Sequence, residues 1–105
     1  MELVSYFKKK YPHIEEDDLD ILEDSAKEIL IHLLFKSSYV VDDSRKEYAY
    51  EYYKYWIMRC MQEMIERLGM TSVISYKENG ISITFGREQI SQSLIDEIVP
   101  IAFVR

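Results

Sequence analysis

Residues 44–69, SRKEYAYEYYKYWIMRCMQEMIERLG, constrain the chain more than any other stretch, because they carry the punctuation of one long helix. Ser44 and Glu47 form a capping box, with the hydroxyl accepting the N3 amide and the carboxylate reaching back to the Ser44 amide. Gly69 supplies the left-handed position that residues bearing a β-carbon avoid, and so closes the helix. Between these signals Ala49, Tyr53, Trp56, Ile57, Cys60, Met61, Met64, Ile65 and Leu68 recur at spacings of three and four. At ~100° per residue they make one broad apolar stripe. Tyr48, Tyr52, Tyr55 and Arg59 climb a second face. A small domain has use for one buried stripe, and a second sticky face points to a partner.

The rest of the 105 residues supplies elements to pack on that helix, enough for a single domain over 1–105 with a modest core. Residues 2–11 form a short helix with Leu3, Val4 and Phe7 on one side. Lys8, Lys9 and Lys10 lie near its end, where the helix dipole favours cations, and Pro12 stops it. Residues 15–24, EEDDLDILED, hold seven acids and no base, the composition of a helix start. Asp17 or Asp18 caps this helix, which runs over about 17–35 on a stripe of Leu19, Leu22, Ala26, Ile29, Leu30, Leu33 and Leu34. Ile21, Ile31 and Phe35 fall off the stripe and are spare apolar surface.

After Gly69 the period changes from 3.6 to 2. TSVISYKENGISITF, residues 71–85, has Asn79-Gly80 at its centre, the pair that a type I′ turn favours. A two-residue turn pairs Glu78 with Ile81, Tyr76 with Ile83 and Ile74 with Phe85 on one face, and Lys77 with Ser82 and Ser75 with Thr84 on the other. That register sorts apolar from polar, so a β-hairpin is expected over about 72–85. A last short helix is expected over about 88–99, with Ile90, Leu94, Ile95 and Ile98 inward and Pro100 at its end. The tail that follows, Ile101, Ala102, Phe103, Val104 and Arg105, is costly to expose. It docks either on its own core or on a partner. The expected fold is mainly α: a small helical bundle around one central helix over 44–68, with the hairpin and the short C-terminal helix.

Chemistry is sparse. The acidic stretch lacks the alternating ligands, central glycine and terminal glutamate of a calcium loop. His13 and His32 belong to no paired metal spacing, and Cys60 sits mid-stripe as a small buried hydrophobe. No phosphate-cradling glycine loop and no nucleophile motif occurs. Catalysis, a metal and a cofactor are therefore not expected. The net charge of −6 argues against gripping nucleic acid. One cysteine and no apolar run of transmembrane length give a soluble, cytoplasmic expectation. The nine tyrosines are the anomaly. Base stacking pairs aromatics with a basic groove, whereas Arg45, Lys46, Lys54 and Arg59 alternate here with Glu47, Glu51, Glu63 and Glu66. Tyrosine and tryptophan beside arginine also mark protein–protein contacts, which suits this charge pattern.

The order of these pieces resembles a known family. An acidic helix start (DDLDILEDSAKEIL), a long aromatic helix, a segment ending GISITFG and a final SLIDEIVP together resemble the small head–tail connector, or head-completion, proteins of tailed bacteriophages and prophages. The resemblance covers the chain from about Ile14. It implies a non-enzymatic virion adaptor at the head–tail junction, assembled from the host cytoplasm as a homo-oligomeric ring below the portal protein. Such a ring extends the DNA channel without binding DNA specifically and docks the stopper or tail. Ring contacts join one patch to a different patch on the next copy. On that view Tyr48, Tyr52, Tyr55 and Arg59 form one side of the subunit interface, and Ile21, Ile31 and Phe35 its complement. Ile101, Ala102, Phe103, Val104 and Arg105 resemble the segment that reaches the portal. The alternative is a cytoplasmic helical interaction module, such as a small regulator or antitoxin-like partner.

Overall fold

The computed structural model of the chain describes residues 3–35, 42–74 and 90–98. Those residues are mainly helical, in the order α1 (Leu3–Lys10), α2 (Glu16–Leu34), α3 (Asp43–Tyr52), α4 (Lys54–Arg67) and α5 (Gln92–Asp96). The α2 helix is the hub, packing chiefly against α4 on one side and α1 on the other, with α3 touching both α2 and α4. The helical bundle expected from the periodicity is present.

The core is the union of the stripes. Phe7 of α1, Leu19, Leu22, Ala26, Leu30 and Leu34 of α2, and Ile57, Met61, Met64 and Ile65 of α4 are shut off from solvent. Ile14 fills the corner between α1 and α2. Each fully buried aliphatic side chain of this size stabilises by roughly 1.5–3 kcal/mol relative to exposure. Among the described residues no charged or polar side chain is buried, so hydrophobic burial alone holds the centre.

The lysines at the end of α1 serve the fold. Lys8 Nζ donates to the carbonyls of Pro12 (3.1 Å) and Ile14 (2.8 Å), beyond the helix end. Lys10 Nζ donates to Gln62 Oε1 at 2.9 Å, and Gln62 Nε2 donates onward to the Tyr11 hydroxyl and Glu66, each at 2.8 Å. His13 Nε2 lies 2.6 Å from the Met70 carbonyl. A carbonyl only accepts, so this nitrogen carries the proton.

Four expectations need correction. First, the central helix is two helices, α3 and α4, divided at Tyr53, whose backbone (φ −102°, ψ 26°) leaves the helical region. The ladder survives at its margins, with the Tyr53 amide donating to Ala49 O (2.9 Å) and the Ile57 amide to Tyr53 O (3.0 Å). Neither proline nor glycine stands there; the cause is a run of aromatic residues, weak helix formers, around the break.

Second, the cap before α3 is Asp42, whose carboxylate accepts the Arg45 amide at 2.8 Å, and not Ser44. An ionised acceptor outcompetes a hydroxyl for orphan amides, so the helix starts two residues earlier. At α2 the N-cap position belongs to Glu15, with no side-chain cap bond, and Asp17 and Asp18 enter the first turn as dipole partners.

Third, the hairpin over 72–85 is not supported. Val73 and Ile74, where its first strand should be under way, are helical, and residues 75–85 lie outside the described residues. No strand occurs among the described residues. Ser72 directly precedes the helical pair, and serine opens helices.

Fourth, the last helix is only Gln92–Asp96, because Ser91 is extended (φ −71°, ψ 150°) and caps it by accepting the Leu94 amide at 3.3 Å. Its apolar side is as expected: Ile90, Leu94 and Ile98 are buried.

Gly69 does close α4, with φ 72°. The Met70 amide donates to Ile65 O (2.9 Å) and the Gly69 amide to Glu66 O (3.2 Å), the paired bonds of a Schellman stop. Met70, just past the glycine, is buried, the apolar contact that accompanies such stops.

Candidate interaction face

Helical rotation sorts the aromatic run. Trp56 turns inward, and its indole Nε1 donates to the Leu94 carbonyl at 2.8 Å, which ties α5 to the start of α4. Tyr50 and Tyr53 are half-buried, and Lys27 Nζ sits 4.9 Å from the Tyr50 ring centre. Burial, then the charges of Asp24, Asp43 and Glu28, hold the Tyr50 hydroxyl above its ordinary pKa. Tyr48, Tyr52 and Tyr55 turn outward, and are 70%, 68% and 67% exposed. The Tyr48 and Tyr52 rings stack on each other, 6.0 Å between centres and 19° apart in plane. Tyr52 also meets Tyr53 edge-on at 4.9 Å. An ordered aromatic surface loses little side-chain freedom when a partner covers it.

Arg59 belongs to the same column in sequence, but its guanidinium is already engaged. It forks onto both carboxylate oxygens of Glu97, with Nη1 to Oε2 at 2.8 Å. That hydrogen bond holds the Glu97 carboxyl below its usual range and raises Arg59. Next to it, Glu63 accepts the Ser91 amide (2.6 Å) and hydroxyl (2.9 Å). Arg59 and Glu63 thus join α4 to α5, a role with no local signature, since the partners lie 38 and 28 residues away.

Of the complementary set, Ile21 is 40% exposed, Ile31 is partly buried against the core, and Phe35 is 8% exposed. Ile21 and Phe35 stand fourteen positions apart, ~21 Å along the axis at 1.5 Å per residue. They do not form one patch. Phe35 instead joins Leu34, Ala49, Tyr48, Tyr52 and Tyr53 around a groove of ≈ 700 Å³ between the end of α2 and α3, rimmed by Asp42, Ser44 and Arg45. The tyrosines are visible in the sequence; the groove is not, since its walls come from the end of α2 and from α3. Residues 101–105, the other proposed contact, lie outside the described residues.

Cys60 is fully buried, and burial followed by the Glu63 charge pushes its thiol up to about 12. Its thiolate is thereby withheld at neutral pH. No group of three or more His, Cys, Asp or Glu gathers to hold a metal among the described residues. No helix there is long and apolar enough to cross a membrane. No family model, no curated protein and no solved structure matches this chain. The face has to be interpreted from its own chemistry.

Proposed function

We propose that this chain is a structural assembly protein, a head–tail connector that forms a ring below a phage portal and docks the stopper or tail. The observation that carries the proposal is the exposed column Tyr48, Tyr52 and Tyr55, on helices that bury Ala49, Trp56 and Ile57 in the core. Three ordered aromatic rings kept in water on a domain this small fit a surface awaiting another protein. The order of sequence elements that resembles the connector family supplies the identity of that protein: a further copy of this chain, then portal and stopper.

The complement to the tyrosines has to be redrawn for this purpose. Ile21 and Ile31 remain exposed or partly exposed, but Phe35 contributes through the groove beside Tyr48 and Tyr52. Arg59 acts by fixing α5 rather than by reaching a neighbour. The acidic balance of the chain suits a channel wall past which DNA slides unheld. No catalytic step belongs to this function.

The test is assembly with the expected neighbour. The chain mixed with purified portal protein from the same genome should give portal rings with added density on one face by negative-stain electron microscopy. Bare portal rings at saturating chain would contradict the connector reading.

A further inference from the structure

Among the described residues, every tertiary hydrogen bond of residues 91–97 runs to α4. Glu63 accepts the Ser91 amide and hydroxyl, the Trp56 indole donates to the Leu94 carbonyl, and Arg59 forks onto Glu97. The other side-chain bonds stay inside the segment, joining Ser91 to Ser93, Gln92 to Asp96 and the Leu94 amide to Ser91. Lifting α5 therefore breaks polar contacts with one neighbour, and leaves the bonds that pin the end of α1 to α4 untouched.

We propose that α5, with Ile90 and Ile98 flanking it, is a strap that opens as a unit while the core of α1, α2 and α4 stays folded, and that Arg59 and Glu97 are its outer clasp. The attachment is light. Five residues are too few to stay helical alone, so α5 holds its shape only while docked. Its apolar anchor is Ile90, Leu94 and Ile98, whereas α2 by itself buries Leu19, Leu22, Ala26, Leu30, Leu33 and Leu34. The clasp stands half in water, with the Arg59 and Glu97 side chains 50% and 46% exposed, and water readily replaces an exposed ion pair. Elements with few apolar anchors and solvent-reached bonds open before the whole chain does.

The face under the strap is defined by α4. At ~100° per residue, Trp56, Arg59 and Glu63 lie within ~60° of one another around the helix. Cys60 stands ~40° from Trp56 on the side of Met64 and Ile57, at the edge of the core stripe nearest to α5. It is the only cysteine of the chain and is fully buried. Opening the strap bares Trp56 and the Cys60 thiol together, and sets Trp56 beside the exposed Tyr55 in one aromatic face. The strap thus limits how much of α4 a partner can reach. It does not depend on the connector reading.

The thiol reports the opening in the full-length chain. Its labelling by an excess of a chromogenic aromatic disulfide is followed at about pH 8, in buffer and in urea below the unfolding transition. Leu94→Ala, which removes the middle anchor, should speed labelling in buffer about tenfold or more. Arg59→Gln, which releases the clasp alone, should speed it about threefold. Leu3→Ala empties a buried site on α1. It should lower the urea midpoint yet leave labelling in buffer within about twofold of the wild type, because it weakens the core and not the strap. Wild-type labelling should vary little in low urea, since opening α5 exposes little surface. Equal acceleration by Leu3→Ala and Leu94→Ala, with a urea slope matching global unfolding, would overturn the strap, because only whole-chain unfolding would then reach Cys60. Indifference to Arg59→Gln would overturn the clasp.

Discussion

Five tyrosines and a tryptophan stand between positions 48 and 56, and the fold uses them in opposite ways. Trp56 is 3% exposed with its indole bonded, whereas Tyr55, its neighbour, is 67% exposed. The stripe rule separated these two in sequence, because one helical step of ~100° carries a side chain from core to solvent. The same contrast predicts the response to truncation. Met61→Ala should cost about 2–5 kcal/mol in urea unfolding, since it empties a fully buried site. Tyr55→Ala should stay within about 0.5 kcal/mol. Equal losses would mean that Tyr55 is core. Arg59 is where sequence reasoning failed at this scale: nothing local announces a partner as distant as Glu97. The pair gives a second prediction. The folded Glu97 carboxyl is lowered chiefly by the Arg59 hydrogen bond. Its contribution is therefore present above the unfolded glutamate pKa and lost as pH falls through the lower folded value. Carboxyl NMR titration should place the Glu97 midpoint below the ordinary glutamate range, and Arg59→Gln should restore it.

At the level of elements, what the sequence made legible was periodicity, and what it hid was competition between neighbouring signals. The stripes of α2 and α4 are seen because many residues vote for the same face. The caps rest on one residue each, and Asp42, Asp43 and Ser44 all qualify. The structure chooses Asp42, so Asp42→Ala should cost about 1 kcal/mol and fray α3, while Ser44→Ala should be near neutral. Amide exchange at Arg45, the bonded amide, reports the difference directly. The break at Tyr53 is hidden for a related reason: without proline or glycine, only the summed weakness of aromatic helix formers marks it. Alternation around Asn79-Gly80 predicts a hairpin, yet Val73 and Ile74 at its upstream end are helical. A two-residue period over so short a run is a weaker signal than a heptad-length stripe.

For the whole molecule, the bundle follows from apolar faces on α1, α2, α4 and α5 that, among the described residues, cover one another in a single core. Its centre holds no buried polar side chain among the described residues, so the contacts that specify geometry lie at the periphery. Lys10 and Gln62 pin α1 to α4, His13 meets Met70, and Arg59 and Glu63 hold α5. A domain secured in this way can keep Tyr48, Tyr52 and Tyr55 in solvent without loss of fold, which is what an assembly surface requires. We propose that these tyrosines exist for protein contact. Native mass spectrometry of the chain over rising concentration, alone and with portal protein, tests it against Tyr52→Glu combined with Tyr55→Glu. The wild type should form closed oligomers or portal-bound copies and the double variant none, at unchanged helical circular dichroism. Identical assembly by both proteins, or a wild-type chain that stays monomeric and portal-free throughout, would contradict it.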